Sequence, residues 1–177
     1  MTTDSEVQDD SAKATRKKPA RAVKPISRVE AIELYEKSGY DLDAHPAHAI
    51  RRAHQRATLC FQQVMAGEEL SPTQFAALAT ILRYGEVSQN HLGRLTAMDP
   101  STISIVVRKL LKHGLIKRSN SDTDQRLIMI TLTDAGTHYT LERLDRSLEV
   151  GRKLLSPLSP EEQKTLLDLL HRIGSED

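Results

Sequence analysis

Apolar residues recur at three- and four-residue steps through most of the chain, and at two-residue steps only within 115–132. The first period belongs to helices, the second to strands. Ser27 and Glu30 have capping-box spacing and start a helix of about eleven residues that stops at Gly39. A second helix opens at Pro46 and runs to Gly67, with Ile50, Ala53, Ala57, Cys60, Phe61 and Val64 as one apolar stripe. Ser71-Pro72-Thr73-Gln74 opens a third, carrying Phe75, Leu78, Ile81 and Leu82 to about Arg83. Ser88 caps a short fourth helix with Leu92 and Leu95, and Asp99-Pro100 opens a fifth that ends at His113-Gly114. Leu115–Asn120 and Leu127–Leu132 read as strands around a polar turn, a β-hairpin. Thr133-Asp134 opens one long helix to about Ser156, whose Leu141, Leu144, Leu148, Gly151 and Leu155 form a short heptad-like seam. Pro157 breaks it. Ser159-Pro160-Glu161-Glu162 caps a last helix with Leu166, Leu167, Leu170 and Ile173 on one face.

These elements predict a mainly α fold with a small β-hairpin wing: a winged helix-turn-helix with N- and C-terminal dimerisation helices. The boundaries follow from the pattern. Residues 1–26 read as a disordered tail, acidic and then basic, with almost nothing to bury. Residues 27–70 supply N-terminal dimerisation helices, 71–133 the winged domain, and 134–177 C-terminal dimerisation helices. The helices outside the winged domain exceed what that domain needs, and their apolar stripes most simply meet across a two-fold axis.

Composition removes several classes. With 177 residues, 38% apolar, 28% charged and only 3% aromatic, the chain holds enough aliphatic side chains for a core packed from helices. The single cysteine, Cys60, excludes a disulfide framework and a Cys-based zinc site. There is no apolar h-region at the N-terminus and no apolar run near the ~20 residues that cross a bilayer, so the expectation is a cytoplasmic protein with no membrane partner. No Gly-rich phosphate loop, Gly-x-Ser-x-Gly elbow or His-Glu-x-x-His occurs, so neither an enzyme nor a cofactor is expected.

Net charge is only +1, yet the distribution is uneven. Between Pro100 and Ser121 lie Arg108, Lys109, Lys112, Lys117 and Arg118 and no acidic residue. Helical geometry sorts the fifth helix into two sides. Ile103, Val106, Val107 and Leu110 project inward, while Ser101, Ile105, Arg108 and Lys112 share a sector of about 60°, flanked by Ser104 and Lys109. Small hydroxyls, bases and one β-branched side chain suit a DNA major groove: bases address guanine or phosphate, hydroxyls phosphate or base edges, and Ile105 a thymine methyl. The alternative is an ordinary solvated face.

Several blocks resemble the MarR family in order. They are Leu70-Ser71-Pro72-Thr73-Gln74-Phe75, Leu92-Gly93-Arg94-Leu95, Asp99-Pro100-Ser101-Thr102-Ile103-Ser104 and Leu110 through Arg118. Asp122-Thr123-Asp124-Gln125-Arg126, then Leu132-Thr133-Asp134-Ala135-Gly136, are similar to its wing and wing exit. The resemblance spans about residues 46–174 and implies a homodimeric regulator that binds a pseudo-palindromic operator in double-stranded DNA and is usually released by a small ligand. It assigns base or phosphate contacts to Ser101, Thr102, Ser104, Arg108 and Lys109. It also makes Asp124 the residue that orients the wing and Arg126 the one that reaches the minor groove. Many members carry a second arginine where this chain has Gln125.

Two further sites are weighed. Asn120, Asp122 and Asp124 alternate like an EF-hand start, but Gln125 sits where glycine is required and Thr131 where the bidentate glutamate belongs, so calcium is rejected. His45, His48 and His54 cannot share one ion from one helix, since His54 is about 240° from His48. No metal is expected. His54 instead borders the apolar stripe with Arg51 and Thr58 near it, a rim that fits a small aromatic carboxylate effector. Within the family, the long N-terminal extension and Ala44-His45-Pro46-Ala47-His48 resemble the branch controlling nicotinate catabolism, which implies a hydroxynicotinate. The alternative for Arg51, His54 and Thr58 is ordinary surface and dimer contact. The alternatives for the whole chain are a winged-helix protein-interaction module or an effector-independent DNA-binding regulator.

Overall fold

The computed structural model describes residues 24–120 and 127–175. They form two compact units that divide between Leu42 and Asp43. The first holds α1 (Arg28–Lys37), where Ser27 Oγ accepts the Glu30 N–H at 3.2 Å. Gly39 follows with φ +65°, a left-handed conformation that ends helices. The tail assigned to 1–26 lies outside the described residues except for 24–26.

The second unit contains α2 (Pro46–Val64), α3 (Pro72–Tyr84), β1 (Glu86–Ser88), α4 (Gln89–Leu95) and α5 (Pro100–Lys112). After these come β2 (Ile116–Asn120), β3 (Ile128–Leu132), α6 (Asp134–Leu141), α7 (Leu144–Leu155) and α8 (Pro160–Gly174). The predicted caps form. Ser71 with Gln74 and Ser159 with Glu162 make reciprocal capping boxes, each with proline at the first helical position. Leu78, Ile81, Leu92, Val107, Leu110 and Ile130 are fully buried and bind α3, α4, α5 and the sheet into one core. A smaller cluster of Phe61, Met65 and Phe75, with Val150 against it, joins α2, α3 and α7. Cys60 is buried, as its place in the helical stripe predicts.

Two features depart from the sequence reading. The hairpin is the larger part of a three-stranded antiparallel sheet of order β1-β3-β2. In β1, Val87 is buried opposite Ile130, and a three-residue strand with one apolar side chain has no period to detect. The expected single helix over 134–156 is two helices. At Arg143 the backbone leaves helical values (φ −108°, ψ 0°) and its N–H donates back three residues to Thr140. The Tyr139 carbonyl accepts instead from the Arg143 guanidinium, Nη1 at 3.1 Å. A side chain thus replaces a backbone donor, and no proline or glycine marks the break.

Past that break, α7 packs along α2. The heptad-like seam stays open: Leu141 is half exposed and Leu148 is 64% exposed. Leu167, Leu169, Leu170 and Ile173 of α8 are exposed as well.

Candidate nucleic-acid interface

The interface is built on the crossing of α4 and α5. Four residues join them, with Ala97 in the left-handed region (φ +50°) and the Met98 N–H bonded to the Gly93 carbonyl at 2.9 Å. At Gly93 a β-carbon would stand 3.2 Å from the Met98 carbonyl oxygen and 3.5 Å from the Ile103 side chain, so the helices meet where that carbon is missing.

Asp99 fixes the start of α5. Its Oδ1 accepts the backbone N–H groups of Ser101 and Thr102, both at 2.9 Å. The Ser101 hydroxyl donates to Oδ1 at 2.5 Å and the Thr102 hydroxyl to Oδ2 at 2.6 Å. The Ser101 and Thr102 hydroxyl bonds, with the Thr102 N–H behind them, hold the Asp99 carboxyl well below the usual carboxylate range.

The two sides of α5 separate as helical geometry requires. Ile103, Val106, Val107 and Leu110 are buried. Ser101, Arg108, Lys109 and Lys112 are exposed, Ile105 is half exposed, and Thr102 and Ser104 are partly covered. Among the described residues no carboxylate pairs with Arg108, Lys109 or Lys112. Lys117 and Arg118 extend the basic surface onto β2. Ser104 is engaged on both sides, donating to the Pro100 carbonyl at 2.8 Å and accepting from Gln89 Nε2 at 3.2 Å. Gln89 escaped the sequence reading because a neutral amide at the start of a helix carries no signal of its own. The wing residues Asp124 and Arg126 lie outside the described residues.

Behind this surface, Glu68 joins α2's C-terminal end to the α6–α7 break. It accepts from Tyr139 Oη and Arg143 Nε, both at 2.8 Å, and from Arg146 Nη1 at 2.8 Å. The Arg143 guanidinium lies 3.7 Å from the centre of the Tyr139 ring. The Arg143 hydrogen bond lowers the Glu68 pKa against the opposing effect of burial, with Tyr139 and the charge of Arg146 assisting. Burial first, and the Glu68 contact second, push the Tyr139 hydroxyl up to about 12.

The three candidate effector residues separate. His54 lines an apolar groove of about 770 Å³ between α2, α7 and α8, with Ile50, Ala53, Leu154, Leu167 and Leu170 among its walls. Arg51 and Thr58 are not part of that lining. Thr58 donates its hydroxyl to the His54 carbonyl at 3.1 Å. The arginine that lines the groove is Arg56, two residues beyond His54, which only the placement of α7 and α8 reveals.

A helix seated across another through a tight turn, followed by antiparallel strands, defines a winged helix-turn-helix protein. Residues 70–128 match the MarR family, and the chain belongs to that family of transcriptional regulators. The chain is 28% identical over 138 residues to the HTH-type transcriptional repressor NicR of Pseudomonas putida, covering 78% of this chain and 87% of that protein. A crystal structure of a probable transcriptional regulator from Pseudomonas aeruginosa is 42% identical, with a TM-score of 0.71 over 75% of this chain and 99% of the other. Bordetella bronchiseptica BpsR, whose DNA binding is regulated by 6-hydroxynicotinic acid, is 27% identical, with a TM-score of 0.74 over 78% of this chain and 99% of its own. Among the described residues no helix is long and apolar enough to cross a membrane.

Proposed function

We propose that the chain is a ligand-responsive repressor that binds a pseudo-palindromic operator as a homodimer. The outward side of α5 enters the major groove of double-stranded DNA. Arg108, Lys109 and Lys112 meet guanine edges and phosphates, Ile105 meets a thymine methyl, and Ser101 and Thr102 meet neighbouring edges, with Ser104 flanking them. Asp124 orients the wing and Arg126 enters the adjacent minor groove. Residues 71–133 form the DNA-binding domain, and the helices of 27–70 and 134–177 pair the protomers. The observation that carries this reading is the row of Arg108, Lys109 and Lys112 on α5, which have no carboxylate partner among the described residues, directly behind which the helix is locked into the core.

The effector is a small aromatic carboxylate of the hydroxynicotinate kind. The α2–α7–α8 groove supports this: its volume of about 770 Å³ falls within the usual range for small-molecule sites, and His54 and Arg56 supply hydrogen bonding and positive charge at an apolar wall. The effect of 6-hydroxynicotinic acid on BpsR supports the same ligand class. A second copy laid over α8 would roof this groove, giving the ligand a way to act on the paired state.

The test uses a duplex selected from a random pool by the wild-type protein. Arg108→Ala should weaken its binding by more than about 1 kcal/mol. Added 6-hydroxynicotinate should release the duplex from the wild type but not from His54→Ala, which still binds DNA. Undiminished binding by Arg108→Ala would falsify the groove assignment, and equal release from both proteins would remove His54 from the ligand site.

A further inference from the structure

One hydrogen-bonded chain crosses all three elements of the DNA face. Arg118 Nη2 on β2 donates to Gln89 Oε1 at 3.2 Å, Gln89 Nε2 donates to Ser104 Oγ on α5 at 3.2 Å, and Ser104 Oγ donates to the Pro100 carbonyl at 2.8 Å. Every direction in it is dictated by chemistry. A guanidinium has only donors, so the amide must turn its oxygen to Arg118 and its NH₂ to Ser104. The Pro100 carbonyl has only lone pairs, so the Ser104 hydroxyl must point its proton there and receive the amide with a lone pair. Gln89 is the first residue of α4 and is partly buried, whereas Arg118 is exposed and forms no ion pair among the described residues.

The geometry points to Gln89 as a positioning residue that holds Arg118 as a clamp for a DNA backbone phosphate and sets the wing's root in register with the recognition helix. This rests on the DNA-binding reading above. An arginine on a short strand otherwise samples many rotamers, and fixing them on binding opposes association. Here one N–H is already held by Gln89, and the remaining donors, without a partner among the described residues, are available to a phosphate oxygen pair, the geometry a guanidinium fork matches. Ser104 takes a corresponding role: with both its proton and a lone pair engaged, it anchors the amide. Contacts to the backbone fix orientation on the duplex and carry no sequence information, so Gln89 acts on affinity and leaves base choice to the rest of α5.

The experiment measures binding of the full chain to a mixed-sequence duplex across a salt series, with thermal melts of each variant. Gln89→Met keeps the length and removes the amide; Arg118→Met removes the clamp from an exposed position where folding is not at stake. Each should weaken binding by about 5- to 10-fold and flatten the slope of log affinity against log salt by about 0.9 per phosphate lost. Melting temperatures should stay near that of the wild type. Combining the two should add nothing further, because Gln89 acts through Arg118. Losses that multiply, or a slope that Gln89→Met leaves unchanged, overturn the assignment. Arg108→Ala runs beside them. If it loses affinity while Gln89→Met does not, only the clamp fails; if it binds like the wild type, the placement of α5 in the groove has failed, and if the wild type itself does not bind the duplex, the DNA-binding reading has failed.

Discussion

At Gly136 a β-carbon would overlap the carbonyl oxygen of Leu115 and lie 2.8 Å from its carbonyl carbon. The same carbonyl accepts the Thr133 N–H at 3.1 Å, and the Thr133 hydroxyl donates to the Gly114 carbonyl at 2.7 Å. The first turn of α6 is therefore pressed onto the turn between α5 and β2, backbone against backbone. A backbone cannot swing aside as a long side chain does. Gly136→Ala should lower stability by about 3 kcal/mol, read as a fall in the urea midpoint with little change in slope. An unchanged midpoint would show that α6 does not sit this close. In the sequence this glycine is visible within Leu132-Thr133-Asp134-Ala135-Gly136, but its reason is not, because its neighbour lies 21 positions away in the chain.

Among the elements, those that announce themselves locally were all legible: the caps at Ser71, Ser88, Asp99, Thr133 and Ser159 occur where the residue types demand them. What a sequence hides is structure imposed from a distance. The α6–α7 break is of that kind, since it follows from Arg143 turning its guanidinium to Glu68 and Tyr139. The third strand exists only because β3 is beside it. The Glu68 joint has a measurable signature. Its pKa is depressed in the folded chain, so its contribution is complete above the ordinary value of 4.5 and is lost as pH falls below it, through the folded value. Glu68→Gln should cost about 2 kcal/mol at neutral pH, since Arg146 loses its carboxylate in a partly buried site and Arg143 keeps only the exposed Glu142. The gap between variant and wild type should then narrow on acidification. Denaturant melts at pH 7 and pH 4 check this, and a constant gap would mean that the cluster contributes no proton linkage.

For the molecule as a whole, the exposed α8 leucines and Ile173 argue for association through that helix. Light scattering should give a mass close to twice 19.8 kDa. Leu170→Lys together with Ile173→Lys should shift the protein towards single chains and weaken operator binding, because two linked half-site contacts become one. A doubly substituted protein that stays paired would move the interface elsewhere. The two sides of α5 and the apolar face of α8 were both legible, because amphipathic periodicity reports them directly; of the three candidate effector residues, only His54 lines the groove between α2, α7 and α8. The Asp99 cap then has an outcome for the text such a pair reads. Its carboxylate already holds the protons of Ser101 and Thr102, so what each hydroxyl has left to offer a base is its lone pairs. They complement exocyclic amines, adenine N6 or cytosine N4, and are mismatched to the oxygen of guanine or thymine. Two-fold symmetry would write that same A-or-C bias once in each half of the palindrome, on opposite strands.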